Sequence, residues 1–324
     1  MERVFIKDLK AGMDLDQIFL VTQPVLRSTS RGDLYIAMFL SDKTGKVNCR
    51  VWNATEDLYN QIPKEGFIRV RAKTELYQGS MQIVANGVFP VDQRDVKIMD
   101  FLPRTEYNIT EMFEELKGFL SKIKHPHIKA LIDEFLTDKD LMKQFCIAPA
   151  AVKMHHGYLG GLLEHTLSMM RSANALLPLY PNVQADIVIA GIFLHDMAKT
   201  EELSYELAFS YTRTGQLLGH IIQGTIMVDQ KADMLLDKGI EMDKEILDQI
   251  QHILVAHHGK YEFGSPKLPA TPEAIFVSYI DDLDAKLNFI DGAIENEAQD
   301  DEWTVWKPSN VNPGTRFYRK KIED

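Results

Sequence analysis

Residues 188–200 read Val-Ile-Ala-Gly-Ile-Phe-Leu-His-Asp-Met-Ala-Lys-Thr. The apolar run stops at His195-Asp196, and the Met-Ala-Lys-Thr beyond that pair is less apolar. Adjacent residues on a helix point about 100 degrees apart, so a neighbouring imidazole and carboxylate serve one site only where a helix frays or ends. His195 follows Val188, Gly191 and Ile192 at helical offsets, a position where the pattern asks for Leu or Ile. The spacing predicts a helix over 185–196 with a polar, metal-capable pair at its inner end.

Other stretches repeat the pattern. His165 follows Tyr158, Gly161 and Leu162; His257 follows Ile246, Ile250, Ile253 and Leu254; Asp281 follows Ala274, Val277 and Ser278. A lone histidine on an apolar face is more often a satisfied core residue than a ligand. Several such groups, each costly to bury without a partner, reverse that balance, because a shared cation removes the cost. Helical periodicity begins near Val96, and Asn108-Ile109-Thr110-Glu111 offers caps for a helix to about Ile123. Helices are expected near 127–136, 139–146, 158–176, 185–196, 215–238, 243–257 and 271–291.

The first ninety residues have a different period. Alternation and turn chemistry predict strands near 17–26, 33–40, 46–52, 66–76 and 80–89, with turns at Asp42-Lys43-Thr44-Gly45 and Tyr77-Gln78-Gly79-Ser80. A short helix from Ala54 to Gln61 separates the third and fourth strands. Five strands with a helix in that place is the order of an OB-fold barrel. The fourth strand alternates Ile68, Val70 and Ala72 with Arg69, Arg71 and Lys73, so one face is basic. Arg50 and Trp52 share a face of the third strand, while Tyr35 and Phe39 are either base-stacking residues or core aromatics.

The order His165, His195-Asp196, Asp281, with Lys199 completing a His-Asp-x-x-Lys signature, resembles the HD superfamily of metal-dependent phosphohydrolases over residues 150–290. His220 and His257-His258 match the additional histidines of members that hold two metals. The segment from His155 to Thr166, His-His-Gly-Tyr-Leu-Gly-Gly-Leu-Leu-Glu-His-Thr, is similar to the YhaM-type 3′→5′ exoribonucleases, and the first ninety residues are similar to OB domains of the tRNA-anticodon type. The expected architecture is multidomain: an all-β OB-fold barrel for nucleic-acid binding (1–95), a linker (96–110), an all-α HD domain (111–295) and a tail (296–324).

The resemblance implies a first metal held by His165, His195, Asp196 and Asp281. Asp196 would bridge to a second, held by His220 and by His257, His258 or both. Asp282 and Asp284 compete with Asp281 for the last position. Lys199 is placed to contact a phosphate oxygen, or is an ordinary surface lysine beyond a helix end. His155, His156 and Glu164 are expected to orient the first ligand or touch substrate. Mixed nitrogen and oxygen donors without thiolate favour manganese, two ions per chain, ahead of cobalt, magnesium, iron or nickel.

Composition sets outer bounds. The 324 residues are 45% hydrophobic and 26% charged, enough for two cores. No stretch is long and apolar enough to span a membrane, and the opening Met-Glu-Arg-Val-Phe-Ile-Lys does not read as a signal peptide, so a cytoplasmic location is expected. Cys49 and Cys146 lie far apart, which suggests neither a disulfide framework nor a thiolate zinc site. Residues 1–100 carry 14 Lys/Arg against 13 Asp/Glu, a balance of +1, so the acidity belongs to the remainder, which carries −12 for an overall −11. Oligomeric state is left open, a homo-oligomer included.

The reaction class the resemblance implies is hydrolysis of phosphodiester bonds. After His257-His258-Gly259 the chain reads Lys260-Tyr261-Glu262, without the Gly-Tyr-Pro of the cyclic-dinucleotide branch. A barrel ahead of the site suits a long strand. The expected substrate is single-stranded RNA, with single-stranded DNA a lesser one, trimmed to nucleoside 5′-monophosphates in a direction that only the resemblance supplies. Two rival readings are a hydrolase of small nucleotides and a nucleic-acid-binding protein with a structural metal.

Overall fold

The computed structural model describes residues 3–97, 100–152, 156–205, 209–295, 302–304 and 315–320. It divides into two units, one up to Arg104 and one running from Thr105 onward, each with its own apolar core.

The first unit is a closed five-stranded barrel, β1 (Asp14–Ser28), β2 (Leu34–Asp42), β3 (Gly45–Trp52), β4 (Glu65–Tyr77) and β5 (Ser80–Pro90), in the order β1-β2-β3-β5-β4. β3 and β5 are the parallel pair and the other pairings are antiparallel. Closure depends on the long β1, which pairs with β4 through residues 14–22 and with β2 through residues 20–28. The pairing register slips between Thr22 and Val25, where Gln23 takes a positive φ of 54°, so one strand bends into two edges of the barrel. Helix α1 (Glu56–Gln61) lies between β3 and β4, capped by the Thr55 hydroxyl, which accepts the Leu58 N–H at 3.2 Å. This is the OB fold.

Alternation sorts the strands as expected. Ile36, Met38 and Leu40 of β2 are buried with Val47, Cys49 and Val51 of β3, which leaves Tyr35 and Phe39 half-buried on the opposite face. The two aromatics are therefore not core residues of the barrel. Cross-strand register sets Tyr35 beside Trp52 and Arg27, and Ala37 beside Arg50. On β4, Arg69 and Arg71 point outward, but both reach Asp16 of β1, at 2.6 and 3.2 Å. That basic ladder is partly neutralised by its neighbour strand, a pairing that periodicity within β4 could not disclose.

The second unit is helical: α2 (Ile109–Leu120), α3 (Pro126–Leu136), α4 (Lys139–Ile147), α5 (Gly161–Leu176), α6 (Ala185–Leu194), α7 (Lys199–Glu202), α8 (Arg213–Asp237), α9 (Lys244–Ala256) and α10 (Pro272–Glu295). A two-residue ladder, β6 (Leu203–Ser204) with β7 (Ser210–Tyr211), joins α7 to α8. Neither α7 nor this ladder is foreseen from sequence. Leu116, Leu131, Phe135, Phe145, Leu162, Leu163, Val188, Ile192, Phe193, Ile250 and Val277 form one continuous core. Gly191 lets α6 approach α9, since a Cβ there would stand 2.7 Å from the Ile253 Cδ1.

α8 is not continuous. Gly219 adopts φ 70° and ψ 161°, a conformation that interrupts the helix just before His220. In the tail, Thr304 and Phe317 pair through their backbones and the Phe317 ring lies 6.2 Å from Phe289 of α10, so these described residues are docked.

Candidate metal centre

Five helices deliver the polar cluster. α6 ends at Leu194 and His195 is its C-cap, so His195 and Asp196 stand at the end of the helix, where adjacent residues can serve one site. α9 likewise ends at Ala256, and His257 is its C-cap. His165 sits in the first half of α5, His220 follows the break in α8, and Asp281 lies in α10. His165, His195, Asp196, His257 and Asp281 are all buried.

Of the three donor groupings among the described residues, one, His156, His165 and Asp284, lies behind the His165 ring and the other two flank Asp196. His165, His195 and Asp281 form one: His165 Nε2 lies 3.3 Å from His195 Nε2 and 3.2 Å from Asp281 Oδ1. His220, His257 and His258 form the other. Asp196 stands between them. Its Oδ2 is 3.3 Å from His195 Nε2 and 3.8 Å from His165 Nε2, whereas its Oδ1 is 3.4 Å from His220 Nε2 and 3.7 Å from His257 Nε2.

The tautomers follow from the opposite side of each ring. Nδ1–H of His195 donates to the Ile192 carbonyl at 2.8 Å, that of His257 to Leu254 at 2.7 Å, and that of His258 to Phe263 at 2.8 Å. His220 donates to Glu202 at 2.9 Å and His165 to Asp284 at 2.7 Å. All five partners are acceptors only, so each Nδ1 carries a proton and each ring, when neutral, presents a lone pair at Nε2. Asp196 Oδ1, His220 Nε2 and His257 Nε2 are buried without a hydrogen-bond partner. Lone pairs facing a carboxylate oxygen in the interior repel one another, and a divalent cation is the group that this donor set fits.

Charge is correspondingly strained. Burial opposes ionisation of Asp196, yet Lys199 and His195 outweigh it and hold its carboxyl well below the usual range. The same balance, with His165 as principal partner, lowers Asp281. Burial disfavours the His165 imidazolium, but Asp281 and Asp284 more than compensate and raise it to about 10. At His257, burial together with His258 and His195 outweighs the attraction of Asp196 and Asp281 and pushes the imidazolium pKa far down.

The surrounding residues divide clearly. Lys199 is buried, not on the surface, and its ammonium donates to Asp196 Oδ2 at 2.6 Å. Asp284 lies on the Nδ1 side of His165, away from the facing Nε2 atoms, and also accepts from Ser168 and, at 2.9 Å, from His156. His156 is buried, 2.9 Å from the Tyr158 hydroxyl, which in turn donates to Glu164 at 2.8 Å. Asp282 pairs with Lys286 at 2.6 Å. His155 lies outside the described residues. Glu202 escaped the sequence reading: its partner is 18 residues away across an unforeseen ladder, and a Glu after a short helix carries no local signature.

A helical unit with this arrangement of histidines and aspartates is an HD domain, and the HD domain family matches residues 162–286. Relatives extend the match to nearly the whole chain. It is 34% identical to the 3'-5' exoribonuclease YhaM of Bacillus subtilis (strain 168), over 88% of this chain and 89% of that one. Identity to the protein of that name from Geobacillus sp. (strain WCH70) is 33%, over 88% and 86%. For Shouchella clausii (strain KSM-K16) it is 31%, over 98% of both. The chain belongs to the YhaM family. The barrel aligns with the second OB-fold domain of replication protein A from Methanococcus maripaludis, at 17% identity, 27% of this chain, 92% of that one and a TM-score of 0.22; strand order, not that likeness, carries the fold assignment.

Proposed function

We propose that this protein is a metal-dependent 3′-5′ exoribonuclease that shortens single-stranded RNA to nucleoside 5′-monophosphates, with single-stranded DNA a lesser substrate. The observation that carries the reading is Asp196, whose two oxygens each face a separate set of imidazole lone pairs. His165, His195, Asp196 and Asp281 would hold one ion; Asp196, His220, His257 and His258 would hold another. Two manganese ions suit these donors best, with cobalt, magnesium, iron and nickel as rivals. Bound there, divalent ions supply Lewis acidity that activates water and offsets phosphate charge.

The chain's own residues do the rest. Carbonyls and carboxylates behind the rings keep every Nε2 lone pair aimed inward, so the donors need no rearrangement. Burial of Asp196 and Asp281 keeps water from competing with the phosphodiester. Lys199 carries a positive charge fixed against Asp196, and its ammonium has further donors for a non-bridging phosphate oxygen. His156 and Glu164 act behind His165 through Asp284 and Tyr158.

Domain assignments follow the same reading: residues 1–95 bind nucleic acid, 96–110 link, 111–295 hydrolyse and 296–324 form the tail. Tyr35, Trp52 and Arg50 would stack on and pair with an unpaired strand, with Arg69, Arg71 and Lys73 as phosphate contacts. Among the described residues no helix is long and apolar enough to cross a membrane, and a cytoplasmic RNA substrate fits that. A homo-oligomer is compatible with the reading and not required by it.

The test is a 5′-labelled single-stranded RNA incubated with manganese. A ladder shortening one nucleotide at a time is expected. An intact strand alongside turnover of a mononucleotide ester would favour a small-nucleotide hydrolase. Binding without cleavage under any metal would favour a structural metal.

A further inference from the structure

The five imidazoles are held in two different ways. His195 and His257 donate Nδ1–H to the carbonyl three residues earlier, and His258 donates to Phe263. Those acceptors belong to the backbone and survive any substitution. His165 and His220 depend instead on side chains, Asp284 and Glu202.

Glu202 has a double hold on His220. Its Oε1 accepts the His220 backbone N–H at 3.0 Å and its Oε2 accepts Nδ1–H at 2.9 Å. The first bond meets the helix where it restarts after Gly219, and the second fixes the ring. The backbone that carries this carboxylate is itself held in place. Its carbonyl accepts the Thr212 N–H at 2.9 Å, and a Cβ on Gly215 would stand 2.3 Å from that oxygen, so only glycine allows α8 to start so close.

We propose that Glu202 is the positioning residue for the second ion: it sets the His220 tautomer and thereby its metal affinity. The inference rests on the two-ion reading above. A purely structural Glu202 would serve only as a cap for the resumed helix, and the amide variant separates the two roles. In Glu202→Gln the amide oxygen can still accept the backbone N–H, but the amide NH₂ then faces Nδ1 and donates to it. The imidazole proton must move to Nε2, where it points at Asp196 and occupies the lone pair an ion needs. A cap survives that change, whereas a tautomer-setting residue does not.

The experiment is a metal titration of the full-length protein by calorimetry, starting from metal-free protein with manganese, and repeated with cobalt to record its visible spectrum. Wild type is expected to take up two ions. Glu202→Gln should keep one at wild-type affinity and bind the other about 10- to 100-fold more weakly, the usual effect of removing a partner behind a ligand. Its circular dichroism and metal-free melting should match wild type, and excess manganese should restore hydrolysis. Glu202→Asp, which keeps the charge, should recover part of the lost affinity. Two ions at wild-type affinity in Glu202→Gln would overturn the proposal, and so would parallel loss of both. His220→Ala is the control for the underlying reading. If it too keeps both ions at full affinity, or wild type holds only one, the two-ion site fails, a result distinct from failure of Glu202 alone.

Discussion

Asp284 accepts from His165, His156 and Ser168, which commits its oxygens to orienting work behind the cluster. Asp281, one turn earlier on α10, instead faces His165 Nε2. The distinction is testable. Asp284→Ala should weaken one ion by about 10- to 100-fold and leave RNA cleavage recoverable at high manganese, whereas Asp281→Ala should not be rescued. Metal titration and initial rates of strand shortening measure both. Glycine governs the neighbouring backbone. A Cβ on Gly161 would fall 2.0 Å from the His156 carbonyl oxygen, so Gly161→Ala must displace either α5 or the His156 turn. The expected cost is about 2 kcal/mol, read as a fall of about 4–8 °C in melting of the helical unit. At this scale the sequence was informative where a polar residue interrupted an apolar stripe, as at His165, His195 and His257. It was silent on Glu202 and could not rank Asp281 above Asp284 by spacing, because both lie on α10 and only the side of the His165 ring that each meets tells them apart.

Among elements, α4 shows how one side chain joins two helices. Asp138 caps α4 by accepting the Leu141 N–H at 3.1 Å, and its other oxygen takes the Lys231 ammonium of α8 at 2.7 Å. Lys231 is buried, so removing Asp138 strands a charge as well as a cap. Asp138→Ala should cost about 2 kcal/mol in thermal or urea unfolding of the helical unit, a figure discounted because the Asp138 side chain is partly exposed. The Lys231 bond, then the Leu141 bond, holds the Asp138 pKa below its ordinary value. Wild-type stability from this pair is therefore present above about pH 4, the unfolded value, and fades as pH falls through the lower folded value. Unfolding midpoints of wild type and variant should converge toward acid; a constant gap would remove the explanation. Element order was legible because most of each barrel strand kept a two-residue period, β1 excepted around its register slip, and most helices their apolar stripe. The break at Gly219 was not, since Gly215 and Gly219 fit inside a helical pattern and the Glu202 carboxylate that accepts the His220 N–H beyond the break comes from another element. The Arg69 and Arg71 pairing with Asp16 was hidden for the same reason, being set by register between β1 and β4.

For the whole molecule, two separate cores let binding and hydrolysis be altered one at a time. In the proposed division, affinity for a strand comes from the barrel and metal affinity from the helical unit. Trp52 is 47% exposed with its ring 5.1 Å from Tyr35, and the Arg50 guanidinium lies 5.8 Å from the Tyr35 ring. An aromatic pair left half-covered beside a cation is a surface on which an unpaired base can stack, at about 1–3 kcal/mol per base. Trp52→Ala should therefore weaken RNA binding by about 5- to 150-fold, while metal stoichiometry and hydrolysis of a mononucleotide ester stay at wild-type values. Arg69→Ala should do less than Arg50→Ala, because Asp16 already shares the Arg69 charge and fewer counterions are released when a phosphate replaces it. Fluorescence anisotropy of a labelled single strand on metal-free protein, at two salt concentrations, measures these affinities without cleavage. Equal salt slopes for Arg50→Ala and Arg69→Ala would place the strand on the β4 face as much as on β2 and β3, and unchanged affinity in Trp52→Ala would take RNA off the barrel's aromatic face altogether.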